Sequence, residues 1–215
     1  MSTAAIKMLF DFFLPPRCFA CDAPAESDSL CASCLSLCCP AQNPLFGQEE
    51  RIGAVFYYEQ AVRNLIMAGK FFKQAAEARL IVTLAKQQIL RSELWHKLLQ
   101  IKPSAITYIP SSLPQTITRG YDIPLLFAIM LGQLLEKPVV HLLKKHPRPQ
   151  LSTLQNKKER MAVVAGSFGL RSHEKFQSLL VVDDITTTGS TFRESLKTLR
   201  PICQSASCLS IAKTP

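Results

Sequence analysis

The sequence predicts a parallel α/β sheet flanked by helices, preceded by a small cysteine-bearing module. Three observations carry that expectation. From about residue 50, apolar runs of strand length alternate with helical stretches, the pattern of parallel strands joined by helical crossovers. One of those runs, "SLLVVDD" at 178–184, sets four consecutive aliphatics before its two acids, as a strand covered on both faces should. Six of the eight cysteines fall between residues 18 and 39, in a segment too short for a conventional core.

The N-terminal stretch "IKMLFDFFLPP" is apolar but interrupted by Asp11, and no small-residue cleavage site follows it. Nothing approaches the roughly 20 apolar residues that cross a bilayer. The expectation is a cytoplasmic chain without membrane insertion. A reducing compartment favours metal ligation or free thiols over disulfides. Cys18 and Cys21 form one C-x-x-C knuckle and Cys31 and Cys34 a second. Two such knuckles can offer four thiolates to one tetrahedral zinc, a closed and therefore structural site. Cys38 and Cys39 are surplus, and either could replace a member of the second knuckle; Cys203 and Cys208 read as strand or core residues. Metal binding would supply much of the folding energy of this module, whose expected extent is residues 1–45, with the α/β domain at 46–215.

Within that domain, 51–59 reads as a strand and 60–100 as helical, with Gly69 breaking it into two helices. A strand is expected at 104–110, ended by Pro110, then a helix over 124–136 and a strand at 138–143. A helix around 156–165 precedes the strand at 178–184. A helix from Thr188 to Arg200 stops at Pro201, and 205–212 is the last strand.

The end of the 178–184 strand raises the functional question. Asp183 and Asp184 sit where a buried strand stops, and two adjacent carboxylates resist burial. After Ile185 come Thr186, Thr187, Thr188, Gly189, Ser190 and Thr191. A run of small hydroxyl residues and glycine entering a helix offers backbone N–H groups, hydroxyls and the helix dipole to a phosphate. Carboxylates just upstream can accept hydrogen bonds from neighbouring sugar hydroxyls. In a parallel sheet this is the strand end where ligands bind. The stretch is neither a Walker A loop nor a G-x-G-x-x-G fingerprint. It suits a ribose 5-phosphate held at both ends.

Residues 179–191, "LLVVDDITTTGST", resemble the phosphoribosyl pyrophosphate (PRPP) motif of type I phosphoribosyltransferases. The resemblance implies the type I phosphoribosyltransferase fold, with Asp183 and Asp184 on the ribose hydroxyls and Thr186 to Thr191 on the 5-phosphate. Mg²⁺ would accompany the PRPP. Further segments, "LFDFFLPPRCFACDAP", the doubled knuckle, "YYEQAVRNLIMAGKF", "RGYDIPLLFA" and "ERMAVVAGSF", are similar to the ComF or GntX-like family. Those proteins join a zinc-ribbon-like N-terminal module to a phosphoribosyltransferase-fold domain and are associated with bacterial competence, that is, natural transformation and DNA uptake. The likeness implies that Lys70 and Arg119 join the PRPP-binding set and that Arg160 belongs to the hood before the PRPP strand. The chain departs from the family at "IPSSLP", where Pro-Val-Pro is usual in the loop facing the pyrophosphate. It departs again at "RGYDIP", where Arg-Gly-Phe-Asn-Gln is usual. Groups that would stabilise a departing pyrophosphate are thinned.

Three function classes follow. The chain could be a glycosyltransferase, moving the phosphoribosyl group of PRPP to an acceptor. It could be a PRPP-sensing module of the DNA-uptake machinery at the inner membrane. It could be a single-stranded-DNA-binding scaffold. The formal charge of +9 is unevenly placed: residues 1–45 carry −2, and residues 137–175 carry +7, a field suited to phosphate or nucleic acid. Phe168 is the only aromatic in that basic window, which weakly supports base stacking.

Overall fold

The computed structural model describes residues 16–25, 30–43, 52–71, 74–146 and 166–215. The expected helix at 156–165, Arg160 and the expected boundary at 45/46 lie outside the described residues.

Four strands form one wholly parallel sheet in the order β1-β6-β5-β2, with β1 at Ile52–Tyr57, β2 at Ala105–Tyr108, β5 at Phe176–Thr186 and β6 at Cys203–Lys213. The continuous aliphatic run became the long central strand because side chains alternate across the sheet and both faces are covered. Leu180 and Val182, with Leu209 and Ile211, face helices α2 (Gln60–Phe71), α3 (Ala75–Leu90), α4 (Glu93–Ile101) and α6 (Ile123–Leu135). Leu179 and Val181, with Cys208, face helix α7 (Ser190–Leu199) and a small antiparallel ribbon of β3 (Leu143–Lys145) and β4 (Phe168–Leu170). Fully buried Leu65, Ile66, Phe127 and Phe192 anchor these layers, each worth about 1.5–3 kcal/mol of burial.

The structure changes three expectations. Gly69 does not break a helix: α2 runs through it to Phe71, and 60–101 holds three helices, not two. A Cβ at Gly69 would lie 3.1 Å from Ala78 Cβ and 3.1 Å from Ile123 Cδ1, so the glycine serves the close approach of α2 to α3 and α6. The expected strand at 138–143 is divided. Pro138 O and Val140 N bond Ile106 beside β2, and the chain then turns so that Leu143 pairs with Leu170. One apolar run thus serves two partners in succession. A short helix, α5 (Leu113–Arg119), appears where only a loop was expected, entered through a Pro in its first turn and closed by Gly120 at φ +78°.

The cysteine segment packs against the sheet domain. Ala41 N and Cys39 O bond Val55 and Tyr57 along the edge of β1, and Asn64 on α2 donates to Ala20 O. Helix α1 (Ala32–Ser36) carries Cys34, which is buried with Cys18 against Ala61. No described helix is long and apolar enough to cross a membrane.

Candidate functional site

Strand β5 runs two residues further than expected, so Thr186 ends the strand, buried, and the loop proper begins at Thr187. Alternation along β5 separates the two acids. Asp184 follows the face of Leu180 and Val182, beneath α2, whereas Asp183 follows the face of Leu179 and Val181, beside α7. Both are nearly buried, at 8% and 5% exposure for Asp183 and Asp184. Lys70, in the last turn of α2, meets Asp184 with its ammonium 2.8 Å from each carboxylate oxygen. Asp183 Oδ1 instead accepts the backbone N–H of Asp184 at 2.8 Å. Burial, and then the neighbouring Asp184 charge, push the Asp183 carboxyl well above the usual range, with the Lys70 charge opposing.

The loop after β5 turns through Gly189 at φ +71°, which forms the cap of α7. A Cβ there would be strained by the left-handed backbone and would lie 3.2 Å from Ile52 Cδ1. Thr187 and Thr188 are exposed, and Thr188 Oγ1 is 3.1 Å from Ser190 Oγ. The first N–H groups of α7 have no intrahelical acceptor, and with the hydroxyls of Thr188, Ser190 and Thr191 they are groups of the kind that can receive an anion.

A cavity of about 260 Å³ joins these parts. Asp183, Asp184 and Thr191 line one side, and Ser111, Gln115 and Arg119, from β2's trailing loop and α5, the other; Lys70 and Lys145 complete it. Lys70 and Arg119 thus line the same cavity as the acid pair. Thr191 lines the same cavity, while Thr187, Thr188, Gly189 and Ser190 form the turn leading to it. Sequence reasoning missed Ser111, Gln115 and Lys145. Ser111 lies in a loop and Gln115 on a short helix that carries no periodic signal, and Lys145 was one cation among many until the β3-β4 ribbon placed it.

The turn between α5 and α6 touches two walls of this cavity. Tyr121 Oη donates to Gly69 O at 2.7 Å, beside Lys70. Asp122 accepts from Ser111 N at 3.1 Å and from Ser111 Oγ at 2.8 Å. Burial raises the Asp122 carboxyl above its usual range against the pull of these bonds, and the Asp184 charge raises it further.

The second cluster is the cysteine one. The sulfurs of Cys18, Cys21, Cys31 and Cys34 all lie within 4.8 Å of one another, and Cys21 and Cys31 Sγ are 3.7 Å apart. A tetrahedron with Zn–S bonds of about 2.3 Å has edges of about 3.8 Å, so the set fits zinc in size and in donor chemistry. For Cys18, burial disfavours the thiolate, but backbone N–H groups of Cys31, Ala20 and Cys21 outweigh it and bring the thiol down to about 6. Burial raises Cys34. Cys38 stands outside the group, directing its thiol to Cys34 O at 3.5 Å and pushed up to about 11 by burial. Cys208 is buried within β6 and Cys203 begins that strand, as their positions suggested.

No protein-family model matches the chain, and no curated protein matches it. Several solved structures are similar over part of it. A purine phosphoribosyltransferase from Pyrococcus horikoshii Ot3 is 14% identical, over 62% of this chain and 83% of that one, with a TM-score of 0.39. An orotate phosphoribosyltransferase from Aeropyrum pernix is 19% identical over 57% and 62%, with a TM-score of 0.28. The glutamine PRPP amidotransferase from B. subtilis, in a structure with ADP and GMP, is 17% identical with a TM-score of 0.34. That likeness covers 49% of this chain and 22% of the amidotransferase chain.

Proposed function

We propose that this chain binds PRPP, or another ribose 5-phosphate ligand, at the carboxyl end of β5. The observation that carries the reading is one cavity lined by Asp183, Asp184, Thr191, Lys70, Arg119 and Lys145, next to the 187–190 turn that caps α7. A ribose 5-phosphate places an anion at one end and a vicinal diol about one sugar ring away. The loop and helix end suit the first, and the carboxylates suit the second as charge-assisted acceptors. The three cations outside the phosphate loop suit a second anionic group, the pyrophosphate on C1, which would arrive with Mg²⁺.

Such a site supports transfer as well as binding. An acceptor nucleophile attacks C1 as the C1–O bond breaks, and the pyrophosphate leaves with the bonding electron pair. No covalent protein nucleophile is required, because the work is positioning and stabilisation of the departing charge. Lys70 and Arg119 would supply that stabilisation; Asp183 and Asp184 would hold the sugar still. The closed four-sulfur cluster would take a structural zinc, since a four-thiolate shell leaves no open position for chemistry.

The finer assignment, a ComF-like role in natural transformation, rests on the sequence resemblance. Disruption of the gene should then lower transformation, and restoration by an Asp183→Ala, Asp184→Ala variant would remove the pocket from that role. Ligand binding is tested by calorimetry with PRPP and Mg²⁺, followed by pyrophosphate release in the presence of nucleobases. Saturable PRPP binding that Asp184→Asn weakens by about 1–3 kcal/mol supports the reading. No binding of PRPP, ribose 5-phosphate or a nucleoside monophosphate would overturn it.

A further inference from the structure

We infer that the turn Gly120–Asp122 is a brace that sets the second-anion wall of the site, with Asp122 and Tyr121 as its positioning residues. The inference rests on the PRPP reading above and adds residues that touch no ligand in it. Asp122 occupies the N-cap position of α6, where an aspartate ordinarily accepts an N–H of the helix's first turn. Its side chain makes no such cap. Both carboxylate oxygens are spent instead on Ser111, one on its backbone N–H and one on its hydroxyl. Ser111 follows Pro110 in the loop leaving β2 and lines the cavity beside Gln115 and Arg119.

That arrangement is made against two costs. Asp122 is 5% exposed, and it lies close enough to Asp184 for the two charges to repel. A helix cap alone would need neither cost. Fixing Ser111 does require it, since a loop residue with a free hydroxyl would otherwise sample several rotamers. The adjacent Tyr121 reaches the other way, donating to Gly69 O in the last turn of α2. The next residue of α2 is Lys70. Arg119 ends α5 directly before the turn, whose Gly120 takes the left-handed conformation that reverses the chain. One turn therefore spaces Ser111, Arg119 and Lys70 relative to one another. These are the groups that would meet a C1 pyrophosphate, and none belongs to the loop that seats the 5-phosphate.

The brace predicts selective damage. Asp122→Ala, Asp122→Asn and Tyr121→Phe are compared with wild type by titration with PRPP and Mg²⁺ and, separately, with ribose 5-phosphate. Melting temperatures establish that each variant is folded. Asp122→Ala should weaken PRPP about tenfold and leave ribose 5-phosphate within about twofold. Asp122→Asn should recover most of the loss, because its amide oxygen still accepts from Ser111 N and its amide N–H can donate to Ser111 Oγ. Tyr121→Phe should also lose PRPP selectively, and it carries the test if Asp122→Ala fails to fold. Unchanged PRPP affinity in the folded variants, or equal loss for both ligands, would overturn the brace while leaving the binding site intact. Wild-type protein that binds neither ligand would instead bring down the site reading, and the brace with it.

Discussion

Replacing Lys70 with Met removes the ammonium facing Asp184 while keeping a long, flexible apolar stem. In the wild-type protein the ammonium lies 2.8 Å from both carboxylate oxygens, with side-chain exposures of 21% for Lys70 and 8% for Asp184. A hydrogen bond to a charged group is worth about 1.5–3 kcal/mol, and breaking a fully buried ion pair costs about 3–5 kcal/mol. The ammonium keeps some water, so the lower part of that span applies, about 2–3 kcal/mol. Most of it arises from Asp184 left beside Asp183 without its counter-charge. Asp184→Asn removes that residual charge, so Lys70→Met should cost under about 1 kcal/mol in the Asp184→Asn background. Urea unfolding of wild type, both single variants and the double variant gives the coupling directly. At this chain length, Lys70→Met should lower the melting temperature by roughly 5–10 °C. The loss should shrink as the pH falls and the stranded carboxyls take up protons. Lys70→Met within about 0.5 kcal/mol of wild type, or strict additivity in the cycle, would refute the claim that Lys70 neutralises the acid pair.

Asp183→Asn should stabilise the ligand-free protein near pH 7 while weakening ribose-ligand binding. Because burial raises the folded-state pKa, wild-type stability is lost as pH rises from the unfolded value of about 3.9 through the raised folded value; the advantage of the variant should vanish below about pH 4, as read by unfolding curves across pH. Purified protein should carry about one zinc per chain by metal analysis. Cys18→Ser should release it and disorder the cysteine segment at 16–25 and 30–43, whereas Cys203→Ser should leave zinc content unchanged.

The parts of this fold legible in the sequence are those written locally. The centre of strand β5 announced itself because both faces of Leu179–Val182 are buried, so nothing polar interrupts the run between Ser178 and Asp183. The four sulfurs were legible because tight knuckles bring ligands together at short range, and the structure groups Cys18, Cys21, Cys31 and Cys34. What escaped was set by contacts distant in sequence. Gly69 looks like a breaker until Ala78 and Ile123 are seen pressed against it. The apolar run Pro138–Leu143 reads as one strand because the sequence does not reveal that Leu170 competes with Ile106 for its backbone. Nothing in the sequence pairs Asp122 with Ser111, and only the tertiary structure brings them together. Lys145 enters the cavity by way of a ribbon whose second strand lies more than twenty residues on.

Whether the carboxyl end of β5 holds a ribose 5-phosphate is read most directly from a crystal structure with ribose 5-phosphate bound. The phosphate should lie against the backbone N–H groups and hydroxyls of Thr187–Thr191, with the sugar hydroxyls in hydrogen-bond reach of Asp183 and Asp184. A ligand seated elsewhere, or a phosphate bound away from that loop with both carboxylates unengaged, would contradict that placement.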